Sequence, residues 1–169
     1  AQSYPSTPGV YTSLTFGIRN IGISKFNAAL TWLEASTKIG WWTTSLSEWF
    51  WIALDSDSTI YVVGYAGTSY PTTGSAYDAT LSWTRDIVIS KLSNDMTSFL
   101  ASTFVGWSSS TEQANDIVIV DNEVYIVWFA GAGYPATASG YDTTLSGTRD
   151  AFVSKFDSGL SNLLASTYL

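Results

Sequence analysis

Tyr70-Pro71-Thr72-Thr73, Tyr77-Asp78-Ala79-Thr80-Leu81, Thr84-Arg85-Asp86, Ser90-Lys91 and Leu100-Ala101-Ser102-Thr103 recur 64 positions further along the chain. The second set reads Tyr134-Pro135, Tyr141-Asp142-Thr143-Thr144-Leu145, Thr148-Arg149-Asp150, Ser154-Lys155 and Leu164-Ala165-Ser166-Thr167. A more diverged set precedes the first by 66 positions: Tyr4-Pro5, Tyr11, Arg19, Ser24-Lys25 and Ala35-Ser36-Thr37. The other part of the unit occurs twice, as Gly40-Trp41 through Tyr61-Val62-Val63 and as Gly106-Trp107 through Tyr125-Ile126-Val127. Repetition at this period marks a chain built from one supersecondary unit, copied. The units are a half repeat over 1–38 and full repeats over 39–105 and 106–169, together one all-β domain.

Within a full unit the strand signals are Trp49–Leu54, Thr59–Tyr65, Asp86–Leu92 and Ser98–Phe104. They are short, rich in β-branched and aromatic residues, and bounded by Ser, Asp, Gly and Pro. No stretch has a sustained 3.6-residue apolar period, so no helix is expected. Asp55-Ser56-Asp57-Ser58 and Asp121-Asn122-Glu123 read as hairpin turns between the first two strands. Asn94-Asp95 and Asp157-Ser158-Gly159 do the same for the last two. All 4 prolines fall in loops, where a strand-rich chain must keep them. About ten short antiparallel strands in four-stranded units follow, with a barrel or a sandwich of the same hairpins as the alternative arrangement.

Ile52-Ala53-Leu54-Asp55-Ser56, Ile60-Tyr61-Val62-Val63-Gly64-Tyr65, Tyr70-Pro71-Thr72-Thr73, Asp150-Ala151-Phe152-Val153-Ser154-Lys155-Phe156 and Leu163-Leu164-Ala165-Ser166-Thr167-Tyr168-Leu169 resemble the SBBP-type β-propeller repeat of secreted and surface proteins. The resemblance spans nearly the whole chain. It implies a four-stranded antiparallel blade per unit and no particular activity, since propellers host many functions. The chain departs from the family in Trp41-Trp42-Thr43-Thr44-Ser45-Leu46-Ser47-Glu48-Trp49, where a Gly/Asp-rich entry to the first strand is usual. It departs again at Asn20, where later copies have Asp86 and Asp150. Propellers close with four to eight blades, so two and a half units leave sheet edges that need a partner.

The chain has 169 residues, no His and no Cys. That composition excludes Ser-His-Asp and Cys-His catalysis, His- or Cys-ligated zinc and disulfides. No cofactor is expected. A formal net charge of −7 argues against nucleic acid and anionic lipid as partners. No apolar run is long enough to span a bilayer. An opening Ala1 without a basic and apolar leader suggests a mature product, and low charge with abundant Ser, Thr and aromatic residues suits the cell exterior.

Six of the seven basic residues, Arg19, Lys25, Arg85, Lys91, Arg149 and Lys155, occupy two slots in three repeats. Their expected role is structural, with the arginines bonding a neighbouring blade's backbone or Asp86 and Asp150. Asp55 and Asp57 alternate oxygen donors as Ca²⁺ sites do. The run lacks the Gly and distal Glu of an EF-hand loop, and its shorter counterpart at Asp121 favours a turn. Glu34, Glu48, Glu112 and Glu123 have no spacing that pairs them for glycoside hydrolysis.

Trp41, Trp42, Trp49, Trp51, Trp107 and Trp128 are concentrated on or beside the first two strands, with Trp83 in a loop. They are the candidate interface residues, because Trp is enriched at protein contacts. Trp49-Phe50-Trp51 is expected to put rings on both faces of one strand. The expected function is therefore a non-enzymatic extracellular structural protein that assembles with itself into a filament, tube or surface layer. The alternatives are an oligomeric glycan-binding module with equivalent aromatic pockets per repeat, and a piece of a longer propeller protein.

Overall fold

The computed structural model of the chain describes residues 4–12, 21–39, 48–68, 70–82, 84–106 and 113–169. Ten strands appear among them: β1 (Ile21–Phe26), β2 (Leu33–Ile39), β3 (Glu48–Leu54), β4 (Ile60–Ala66), β5 (Asp86–Leu92), β6 (Phe99–Val105), β7 (Gln113–Val120), β8 (Glu123–Ala130), β9 (Asp150–Asp157) and β10 (Leu163–Tyr168). The strand starts and ends lie within one residue of the sequence expectation in the 48–105 unit.

The protein is all-β, and the described residues form three antiparallel sheets that do not close into a barrel. The first sheet is β1-β2, the middle sheet β3-β4-β5-β6 and the last sheet β7-β8-β9-β10, each in chain order. Sheet boundaries thus coincide with the sequence repeats. β1 and β2 are the equivalents of the third and fourth strands of the full units.

Alternation along β4 explains how the sheets stack. Ile60 and Val62 face the first sheet, in one apolar cluster with Ile23, Ala35 and Ile39. Tyr61 and Val63 face the last sheet, with Ile117, Val124 and Ile126. A strand buried on both faces reads as a continuous apolar run, as Ile60-Tyr61-Val62-Val63 does. Burial of each such side chain contributes about 1.5–3 kcal/mol.

The β3 strand carries a bulge that simple alternation does not anticipate. Trp49 pairs with Gly64 and Trp51 with Val63, so Phe50 is the extra residue. The same bulge recurs in β7 between Ala114 and Asp116. In the β7–β8 hairpin Asp121 and Asn122 both take positive φ, 49° and 65°, the type I′ geometry that short hairpins favour.

Candidate functional site: the faces between repeats

The hairpins β1–β2, β5–β6 and β9–β10 end in turns of one design. Leu30, Met96 and Leu160 occupy the same place in each, and all are left-handed, with φ of 56°, 58° and 54°. Their N–H groups donate to Asn27 O, Ser93 O and Asp157 O at 2.9, 2.8 and 3.0 Å. An L-residue here costs roughly 1–2 kcal/mol, which glycine would avoid. Gly159 stands beside Leu160, yet the left-handed position keeps the apolar side chain.

Burial of that side chain in the preceding unit explains the choice. Met96 and Leu160 are 1% and 0% exposed. Around them the same bonds appear twice: Tyr11 N–H donates to Met96 O at 2.7 Å, and Tyr77 N–H to Leu160 O at 2.9 Å. The repeated lysines reach the same turns. Lys25 Nζ donates to Asn94 Oδ1 at 2.6 Å and Lys91 Nζ to Ser158 O at 3.1 Å. The first and middle units therefore each present a socket, and the turn of the unit that follows is its plug.

A second repeated device fastens the Tyr-Pro loop to its own sheet. Tyr70 OH pairs with Ser90 Oγ at 3.0 Å, and Ser90 Oγ with Ser102 Oγ at 2.8 Å. Tyr134, Ser154 and Ser166 repeat it at 2.8 and 2.7 Å. Tyr4, Ser24 and Ser36 form the third copy. These tyrosine and serine roles were not assigned from sequence, although their exact recurrence marked them. Burial pushes the Tyr70 phenol far above its ordinary range, so it remains a neutral hydrogen-bonding group.

The repeat lysines and acids have local structural partners. Lys155 pairs with Glu123 at 3.1 Å and Lys25 with Glu34 at 3.6 Å. Hydrogen bonds from Lys155 and Tyr125 hold the Glu123 carboxyl below its usual range. Arg85 lies over the Tyr65 ring, 4.4 Å from its centre. Asp86 accepts from Ser82 N–H at 2.7 Å and Asp150 from Ser146 N–H at 2.5 Å. Arg149 is exposed. Asp55 Oδ1 accepts from the N–H groups of Asp57 and Thr59 at 3.0 and 2.8 Å, the bonding of an Asx turn. Among the described residues no three carboxylates converge as a metal ion needs.

Asp86 is 1% exposed and its Oδ1 has no hydrogen-bond partner. Burial raises its pKa. A carboxyl raised in the folded state contributes stability below the unfolded value of about 4, lost as pH rises through the folded value. Asp86→Asn is accordingly expected to gain stability relative to the parent chain as pH rises from about 4 to 7. Urea midpoints of both chains across that range check this; a constant difference contradicts it.

Of the tryptophans singled out in sequence, Trp41, Trp42, Trp83 and Trp107 lie outside the described residues, as does Arg19. Trp49 and Trp128 lie in β3 and β8, with their side chains outside the description. Trp51 is half exposed, beside exposed Ile52 and Leu54 on the same edge strand. Sequence reasoning missed Trp32, which is 71% exposed beside the Leu30 turn. A signal existed: the equivalent positions in the covered turns are Ser98 and Asn162.

No protein-family model and no curated protein matches the chain. No helix among the described residues is long and apolar enough to cross a membrane, which leaves strand-built spans unaddressed.

Proposed function

We propose that the chain is a non-enzymatic structural subunit, working outside the cell, that assembles with copies of itself into a filament, tube or layer. We further read each sheet as an SBBP-type propeller blade, the first being a half blade. Meander order within each sheet and face-to-face stacking of sequence repeats support that reading.

The observation that carries the function is an apolar outer face at each end of the stack. Phe26, Leu30 and Trp32 are exposed on the first sheet, and Val118, Val120 and Tyr141 on the last. The repeat equivalents of Phe26 and Leu30, which are Leu92, Met96, Phe156 and Leu160, are buried inside the stack. Large exposed apolar patches mark interaction surfaces. Two different faces on one subunit make heterologous contacts, which propagate or close into rings. A glycan-binding module would need equivalent pockets in each repeat, whereas two of the three equivalent sockets hold Met96 and Leu160.

The test is negative-stain electron microscopy with sedimentation at neutral pH over a concentration series. Uniform filaments, tubes or sheets are expected, with the assembled fraction rising with concentration. A chain that stays monomeric at high concentration overturns the reading, and glycan binding then becomes the next assay.

A further inference from the structure

Among the described residues, none fills the socket of the last unit. A cavity of about 270 Å³ is lined by Tyr125, Gly140, Tyr141, Val153, Lys155 and Ala165 among others. Their repeat equivalents in the middle unit are Tyr61, Ala76, Tyr77, Ile89, Lys91 and Ala101. These surround the Leu160 turn: Ile89, Ala101 and Tyr61 share its apolar cluster, Tyr77 and Lys91 bond its backbone, and the Tyr77 ring meets Phe156 edge-on at 5.6 Å. The cavity is therefore the vacant form of a seat that is filled inside the molecule. Tyr141, the counterpart of Tyr77, is 91% exposed.

The first unit contains a turn of the plug design that no described residue covers. Asn27–Trp32 has the backbone hydrogen bonding of the two seated turns: Asn27 N–H to Trp32 O at 3.1 Å and Leu30 N–H to Asn27 O at 2.9 Å. Asn27 Oδ1 braces it further by accepting from Thr31 and Trp32 N–H at 2.9 and 3.1 Å. The turn is thus preformed, and Leu30 at its tip is 76% exposed. Phe26, counterpart of the buried Phe156, is 49% exposed beside it.

We infer that copies of this chain join head to tail by seating the Asn27–Trp32 turn of one copy in the Tyr141 socket of the next. Leu30 fills the cavity, and Phe26 meets the Tyr141 ring. Tyr141 N–H donates to Leu30 O, and Lys155 donates to Ala28 O, repeating the bonds of Tyr77 and Lys91. The occupant is a second copy because one chain carries both halves of a contact that it already makes internally twice. Preorganised halves lose less entropy on joining. The inference rests on the self-assembly reading and specifies its contact.

Two variants separate the halves. Leu30→Asp puts a charge on the plug, at an exposed, left-handed position that Asp tolerates. Ala165→Trp fills the socket from the open face of β10. Circular dichroism and melting confirm that each is folded. Tyr141→Ala replaces Ala165→Trp if that chain does not fold. Each variant alone is expected to raise the concentration needed for assembly about thirty-fold, as loss of a buried anchor does. Mixed in equal amounts they are expected to form a heterodimer and nothing larger, since one intact plug meets one intact socket. If the parent chain assembles and both variants assemble equally well, the plug-and-socket contact is wrong while self-assembly stands. If the parent chain does not assemble at all, both are overturned.

Discussion

Phe156→Ala lowers the melting temperature of the unassembled chain by roughly 6–20 °C, the result of losing about 3–5 kcal/mol from a close-packed site. Phe156 is fully buried, in the cluster that joins the middle and last sheets, with the Tyr77 ring 5.6 Å away. The repeat supplies its own control. Phe26 holds the same place in the first unit but is exposed, so Phe26→Ala costs about 1 kcal/mol or less. Paired thermal melts at a concentration too low for assembly read both values. Equal losses at the two positions would mean that the sheets do not stack as described.

Ser154→Ala is expected to destabilise the chain by about 1–3 kcal/mol for each buried hydroxyl that loses its partner. Ser154 Oγ stands between Tyr134 OH and Ser166 Oγ, and removing it takes a partner from both. Ser154 is fully buried and Ser166 nearly so, which leaves little chance for water to substitute. In the first unit Tyr4 is exposed, and water can replace the Ser24 hydroxyl. Ser24→Ala should therefore cost much less than Ser154→Ala. Urea midpoints of the two variants give the comparison, and equal shifts would rule out burial as the cause.

Much of the fold was legible because it rests on local signals repeated in the chain. Strand alternation, turn residues and the 64-residue period are each visible without knowing which sheet packs on which. The hairpin turns fell where Asp, Asn, Ser and Gly cluster, because those residues best tolerate tight turns and bond their own backbone. The β3 bulge was not legible. Phe50 gives no Gly or Pro signal, and the extra residue becomes visible only in the pairing of Trp49 and Trp51 with β4.

The candidate site was legible only in part. Six tryptophans were read as interface residues, since large amphipathic rings favour contacts, and of those six only Trp51 has a side chain among the described residues. The exposed Leu30 turn was missed because Leu30 reads as an ordinary apolar turn residue, and its exposure stands out only beside the burial of its two equivalents. Repetition, strand content and the absence of His and Cys chemistry were determined by the amino-acid sequence alone. Tertiary structure decided which copies of one position are buried and which face outward, because burial depends on the neighbouring sheet and not on the residue itself. Leu160 and Leu30 are the same residue in the same turn, and only packing makes one a core side chain and the other an exposed one.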